Sequence, residues 1–156
     1  MSKPNILDMT IECVIQINSE VPKVFAVFTD LKNAQKNIKS ITKIKILTKP
    51  DFQVGTKWYE TRIMFGKEAI EEMWVSKLSK NKSYQVSAVS HGIDYTTTFN
   101  FLPKYKGTEV TMIFTGKPVG WGAKLMSPTF LVLLRIKNKK MLMADMNDLK
   151  KVIEKK

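Results

Sequence analysis

Few side chains in this sequence are equipped for nucleophile or proton chemistry. There is one histidine, His91, and one cysteine, Cys13. Nucleophilic catalysis needs a nucleophile and a base within hydrogen-bond reach, and nothing in the spacing pairs these two. His91 precedes Gly92 between two strand-like runs, so a hairpin turn is its expected place. A lone cysteine leaves no internal disulfide and no multi-cysteine metal site. No zinc-ligand spacing and no phosphate-cradling glycine loop is evident, so no metal and no cofactor is expected. The pattern with most chemical interest lies at 56–65. Trp58, Glu60, Arg62 and Met64 take one parity; Tyr59, Thr61, Ile63 and Phe65 take the other. Side chains two apart on a strand share a face. If the Glu60–Arg62 face is buried, both charges must be paired, with each other, with Glu71 or Glu72 on the next strand, or with a ligand carboxylate, carbonyl or hydroxyl. If it is not, both are solvated surface. Periodicity does not choose, because both parities carry aromatics.

The elements that must position these residues follow from the hydrophobic periods. Thr10 to Ile17 alternates, with Ile11, Cys13, Ile15 and Ile17 on the apolar side, so Cys13 is expected to be a small core hydrophobe. The period then lengthens to three and four at Val21, Val24, Phe25 and Phe28, a helix that tolerates Pro22 in its first turn. Ser19 or Glu20 is its expected cap, and Asp30 ends it and caps a short second helix to about Lys36. Six strands are predicted next: Ile41–Lys49, Thr56–Phe65, Lys67–Leu78, Ser83–Ser90, Gly92–Leu102 and Thr108–Lys117. Their short connections make consecutive strands antiparallel hairpins. The segment from 120 to 156 reads as a long helix, with Leu131, Leu134, Leu142, Met146, Leu149 and Ile153 along one side. Pro128 begins its regular part after a Ser127 cap, or kinks it.

The predicted class is α+β: seven curved antiparallel strands around a long C-terminal helix, with two short helices after the first strand. A single domain, 1–156, is expected from the length. One face of such a sheet wraps the helix and the other meets water. The space between sheet and helix is the default ligand position. Tyr95, Thr97 and Phe99 share the more apolar parity of their strand and are assigned to the concave side. Met112 and Phe114 lie beside them, and Met73 is placed with them. From the helix, Met126, Phe130 and Leu134 would close the space, with Trp121 nearby.

The formal net charge is +12 and unevenly spread. Residues 117–156 hold ten Lys/Arg against three acids, and residues 32–49 hold six lysines and no acid. Such clusters attract phosphate or anionic lipid, or simply keep the protein in solution. The N-terminal stretch has no signal-peptide pattern, and no uncharged apolar run approaches the roughly 18 residues of a membrane span. A cytoplasmic protein, monomeric or weakly dimeric, is expected.

The sequence resembles the START-like (SRPBCC) superfamily, which includes polyketide cyclase/dehydrase-like proteins, coenzyme-Q-binding proteins and the birch-pollen allergen. The resemblance is carried by Val24–Asn33 (VFAVFTDLKN), Val54–Leu78 (VGTKWYETRIMFGKEAIEEMWVSKL), Lys106–Phe114 (KGTEVTMIF) and the closing DLKKVIE. It implies a helix-grip fold whose elongated cavity binds an apolar or amphipathic small molecule. It also favours Trp58 facing inward, which brings Glu60 and Arg62 with it. The expected function is binding or carriage of a lipid, isoprenoid or polyketide-like molecule, without catalysis. The alternatives are a cyclase or dehydratase using Arg62, Glu60, Tyr95 and His91, or a basic module on an anionic membrane surface. Nucleic acid is the weaker partner, because the lysines are not interleaved with stacking aromatics.

Overall fold

A computed structural model describes residues 9–49, 51–119 and 128–155, and the side chains among them outside 128–134. Strand β1 (Met9–Ile17) buries Ile11, Cys13, Ile15 and Ile17 and turns Thr10, Glu12, Val14 and Gln16 outward, as alternation requires. Helix α1 (Val21–Phe28) buries Val24, Phe25 and Phe28; Pro22 sits in its first turn. Its N-cap is Glu20, whose side chain makes no capping bond. Helix α2 (Leu31–Asn37) starts at Asp30, where Oδ1 accepts from the Asn33 backbone N–H at 3.3 Å.

Six strands follow: β2 (Ile41–Ile46), β3 (Lys57–Met64), β4 (Lys67–Ser79), β5 (Ser83–Ser90), β6 (Ile93–Lys104) and β7 (Gly107–Pro118). They form one antiparallel sheet of seven strands with β1, in the order β1-β7-β6-β5-β4-β3-β2. The register pairs Met64 with Lys67 and Ser90 with Ile93, leaving Phe65-Gly66 and His91-Gly92 as two-residue loops. All four loop residues have positive φ (53°, 78°, 51° and 74°), the conformation that matches the twist of a tight hairpin. His91 is therefore a turn residue. Strand β2 is shorter than predicted, ending at Ile46. Strand β6 is longer, because Pro103 does not stop it. The Phe101 N–H reaches Lys82 O on the β5 side, and β5 pairing ends at Ser83–Asn100. Pro103, of the same parity, lacks only a donor that would have had no strand partner.

Helix α3 (Pro128–Glu154) lies in the concave face and buries Leu142, Met146, Leu149 and Ile153 against β1 and α1. At one end of the sheet Phe25, Phe28, Phe52, Tyr84, Phe99 and Phe101 form a chain of aromatic pairs with centroids 4.7–6.1 Å apart. Such pairs add about 0.5–1.5 kcal/mol each beyond area burial. This aromatic end opposes the hairpin end, where the β3–β4 and β5–β6 turns lie. The architecture is the expected helix-grip α+β fold.

Candidate functional site

Between the concave face and α3 lies a cavity of about 200 Å³. Its walls come from the inward parity of β3 to β7 with Ile41 of β2, from Phe28, Leu31 and Ala34 of the short helices with Ile38 just after them, and from Asn138, Met141, Leu142, Asp145, Met146 and Leu149 of α3. Trp58, Glu60, Arg62, Met73, Tyr95, Thr97, Phe99, Met112 and Phe114 all line it. Met126 and Trp121 lie outside the described residues, as do the side chains of Phe130 and Leu134. The even parity of β3 is therefore the inner one. The register continues it from Trp58 opposite Met73, to Met73 opposite Ala88, to Ala88 opposite Tyr95.

Glu60 and Arg62 do not project freely into this space. Arg62 Nε donates to Glu60 Oε1, and Nη1 donates to Asp145 Oδ2 at 2.5 Å and to Ser40 Oγ at 3.0 Å. Ser40 Oγ in turn donates to Asp145 Oδ1 at 2.6 Å, and Trp58 Nε1 donates to Glu60 Oε2 at 3.2 Å. Burial works against the guanidinium charge, but Glu60 and then Asp145 more than offset it, holding the Arg62 pKa above its ordinary value. The network ties β3 to α3. A ligand carboxylate would have to displace one of these acids to reach the guanidinium. The expected pairing of Glu60 with Arg62 is thus present, but the third member is Asp145 of α3 and not Glu71 or Glu72.

Tyr84 is buried and donates from its hydroxyl to Phe28 O at 3.2 Å; burial, aided by the charge of Glu60, pushes its pKa up. Tyr95 is half-buried and stacks on Phe114 at 5.6 Å. Its ring lies over Gly116, where a Cβ would come within 3.3 Å of Tyr95 Cε1. Burial first, then the negative charge of Glu71, raises the Tyr95 pKa. Glu71 lines the cavity opposite Glu60 and forms no salt bridge among the described residues. The Oδ1 of Asn138 is shut off from water and accepts no hydrogen bond among the described residues.

Of the residues considered for acid–base chemistry, Glu60, Arg62 and Tyr95 converge in the cavity and His91 does not. His91 is exposed at its turn, with Nδ1 2.8 Å from Ser90 Oγ. Cys13 is buried in the core, where burial raises its pKa against the opposing charge of Lys139. Among the described residues no three His, Cys, Asp or Glu side chains are grouped to hold a metal ion. Ser40, Asp145 and Asn138 are polar site residues that strand parity did not reveal. Asp145 did leave a signal: it is three residues after Leu142 and four before Leu149, a carboxylate inside the apolar stripe of α3.

No protein-family model and no curated protein sequence matches the chain. Solved structures do. The di-domain ARO/CYC StfQ from the steffimycin biosynthetic pathway is 11% identical with a TM-score of 0.79, over 96% of this chain and 52% of that one. This chain therefore spans about half the length of that di-domain protein. Ara h 8.0201 is 14% identical with a TM-score of 0.70, over 94% of this chain and 97% of that one. A protein of Thermus thermophilus is 18% identical with a TM-score of 0.67, over 94% of this chain and 96% of that one.

Proposed function

We propose that this chain, which has the helix-grip fold of the START-like superfamily, is a single-domain protein that binds or carries a hydrophobic or amphipathic small molecule without turning it over. The observation that carries this reading is the cavity itself. Its walls are mostly apolar, and its one strong ionic cluster is closed on itself and so holds the fold together. A lipid, isoprenoid or polyketide-like molecule suits such a space. A cyclase or dehydratase activity draws support from the likeness to StfQ and from the convergence of Glu60, Arg62 and Tyr95. It is the weaker reading, because Glu60 and Arg62 are held in internal hydrogen bonds that must break before either can act on a substrate. We place the protein in the cytoplasm as a monomer or weak dimer, a setting that suits a lone buried thiol.

The test uses a neutral apolar fluorophore, N-phenyl-1-naphthylamine. Saturable binding is expected, and Thr97→Trp, which fills the cavity from β6, should abolish it while the circular dichroism spectrum stays native. Absence of binding, or binding unchanged by Thr97→Trp, overturns the reading.

A second reading, docking on an anionic membrane, is favoured by the hairpin end of the molecule. There Ile63, Phe65, Ile70, Val89 and Ile136 are exposed, and Lys137 Nζ sits 5.5 Å from the Phe65 ring centroid. Lys67, Arg135, Lys137, Lys139 and Lys140 accompany them on the surface. No described helix is long and apolar enough to cross a membrane, so contact would be interfacial. Co-sedimentation with anionic but not neutral vesicles, weakening with salt, is the expected result; indifference to lipid charge and salt removes the reading.

A further inference from the structure

The ionic groups of the cavity do not balance. Glu60, Glu71 and Asp145 line it, and Arg62 is the one cation among the described lining residues. Arg62 is held by Glu60 and Asp145, so Glu71 has no counter-charge among the described lining residues. Glu71 has neighbours of its own kind. Glu71 and Tyr95 both line the cavity, and after burial the charge of Glu71 is the second cause that raises the Tyr95 pKa. Asn138 adds a buried carbonyl oxygen with no donor among the described residues. An unpaired buried acceptor calls for a specific explanation.

These groups also share a level in the cavity. Glu71 and Tyr95 lie near the starts of β4 and β6, and Asn138 follows Lys137, whose ammonium rests on Phe65 at the β3–β4 turn. All three therefore sit toward the hairpin end. Phe28, Tyr84 and Phe99 line the opposite, aromatic end. The cavity is apolar at one end and rich in acceptors, with an excess of negative charge, at the other.

From this arrangement, and resting on the binding function proposed above, we infer that the ligand is a cationic amphiphile. A protonated amine lies among Glu71, Tyr95 and Asn138, and the apolar body points toward Phe99 and Tyr84. The ammonium supplies N–H donors to Asn138 Oδ1 and Glu71 and supplies the missing positive charge. A fatty carboxylate would meet the like charge of Glu71 at that end, with the one described cation, Arg62, already held by Glu60 and Asp145. This preference runs against the net charge of +12, which by itself attracts anions.

Calorimetric titration with octylamine, octanol and octanoate at pH 7 tests the inference, since the three share one chain and differ in head group. Octylamine should bind about 10- to 100-fold more tightly than octanol, the range of a hydrogen-bonded charge, and octanoate most weakly. Glu71→Gln should remove most of the advantage of octylamine over octanol. Equal affinities, or octanoate binding tightest, overturn the cationic ligand while the apolar cavity stands. If none of the three binds and the neutral fluorophore also fails, the binding function falls and this inference with it. If the fluorophore binds and octylamine does not, the inference alone is overturned.

Discussion

Replacing Arg62 with methionine isolates the buried ionic cluster that joins β3 to α3. Methionine keeps most of the side-chain volume and removes the charge. Glu60 and Asp145, 7% and 5% exposed, are then two carboxylates without their cation. Removing one partner of a buried ion pair costs about 3–5 kcal/mol. Protonation sets a ceiling on that cost, because one proton taken up by the two carboxylates restores the net charge that the cluster has with Arg62 in place. At pH 7, about three units above the ordinary carboxylate range, this costs about 4 kcal/mol. The two figures agree, so Arg62→Met should lose about 4 kcal/mol at pH 7, or about 8–16 °C in Tm for a chain of this size.

The ceiling also fixes the sign of the pH dependence. In the variant the folded state binds a proton that the unfolded state has released. Relative to wild type, the variant therefore regains stability as pH falls from 7 to 5, by about 1.4 kcal/mol per unit. Urea unfolding followed by circular dichroism at several pH values reads both quantities. The triple variant Arg62→Met, Glu60→Gln, Asp145→Asn should recover most of the loss, because no charge remains buried. A loss below about 1 kcal/mol for Arg62→Met, a loss independent of pH, or a triple variant no better than the single one would refute the reasoning.

Tyr84→Phe should cost about 1–2 kcal/mol near neutral pH, because the Phe28 carbonyl loses its donor. The raised Tyr84 pKa means that the folded state keeps a proton the unfolded state gives up, so wild-type stability should fall above the ordinary tyrosine value of 10.0. Urea midpoints between pH 8 and 11 should show a shallower fall in Tyr84→Phe. Gly107→Ala should be severe, about 3 kcal/mol or more, since at φ 140° its Cβ would sit 2.1 Å from Ile17 O. Gly66→Ala, at φ 78° with open space around it, should cost about 1–2 kcal/mol, and thermal denaturation separates the two. Asn138→Leu should leave the ligand-free protein as stable or about 1 kcal/mol more stable, because it removes a buried acceptor without a donor, while weakening octylamine binding in the same calorimetric titration.

Period two and period three-to-four were enough to place the strands and helices in order, because each element buries one continuous face. Ile11 to Ile17 and Val24 to Phe28 show this directly. Strand ends were less legible. The end of β6 depends on where β5 stops pairing, a fact about the neighbouring strand that Pro103 by itself cannot express. The inner parity of β3 was not decidable from its own residues, since Trp58 and Tyr59 are adjacent aromatics. The answer lies in the cross-strand register, which seats Trp58 opposite Met73, and in Asp145 from a helix 83 positions beyond Arg62. The partner of a buried charge was findable in principle: a carboxylate inside the apolar stripe of α3 demands a cation, and Arg62 was the cation already suspected of facing inward.

Charge shows most plainly what counting along a sequence leaves out. A net charge of +12 weights an exposed lysine and a buried glutamate equally, but their surroundings do not. Exposed charges more than about 8 Å apart are largely screened at physiological salt. Charges inside act at an effective dielectric of about 20, several times lower than that of water. Among the described residues the ionic groups lining the cavity are Glu60, Glu71, Asp145 and Arg62, three acids to one cation, a balance opposite in sign to the net charge of the chain. The two signs are compatible with one function. A basic exterior favours approach to anionic membranes, and an interior with excess negative charge favours a cationic amphiphile once there. Salt should then weaken vesicle binding much more than it weakens octylamine binding. Equal salt dependence of the two would mean that both report the surface, and would remove the distinction between them.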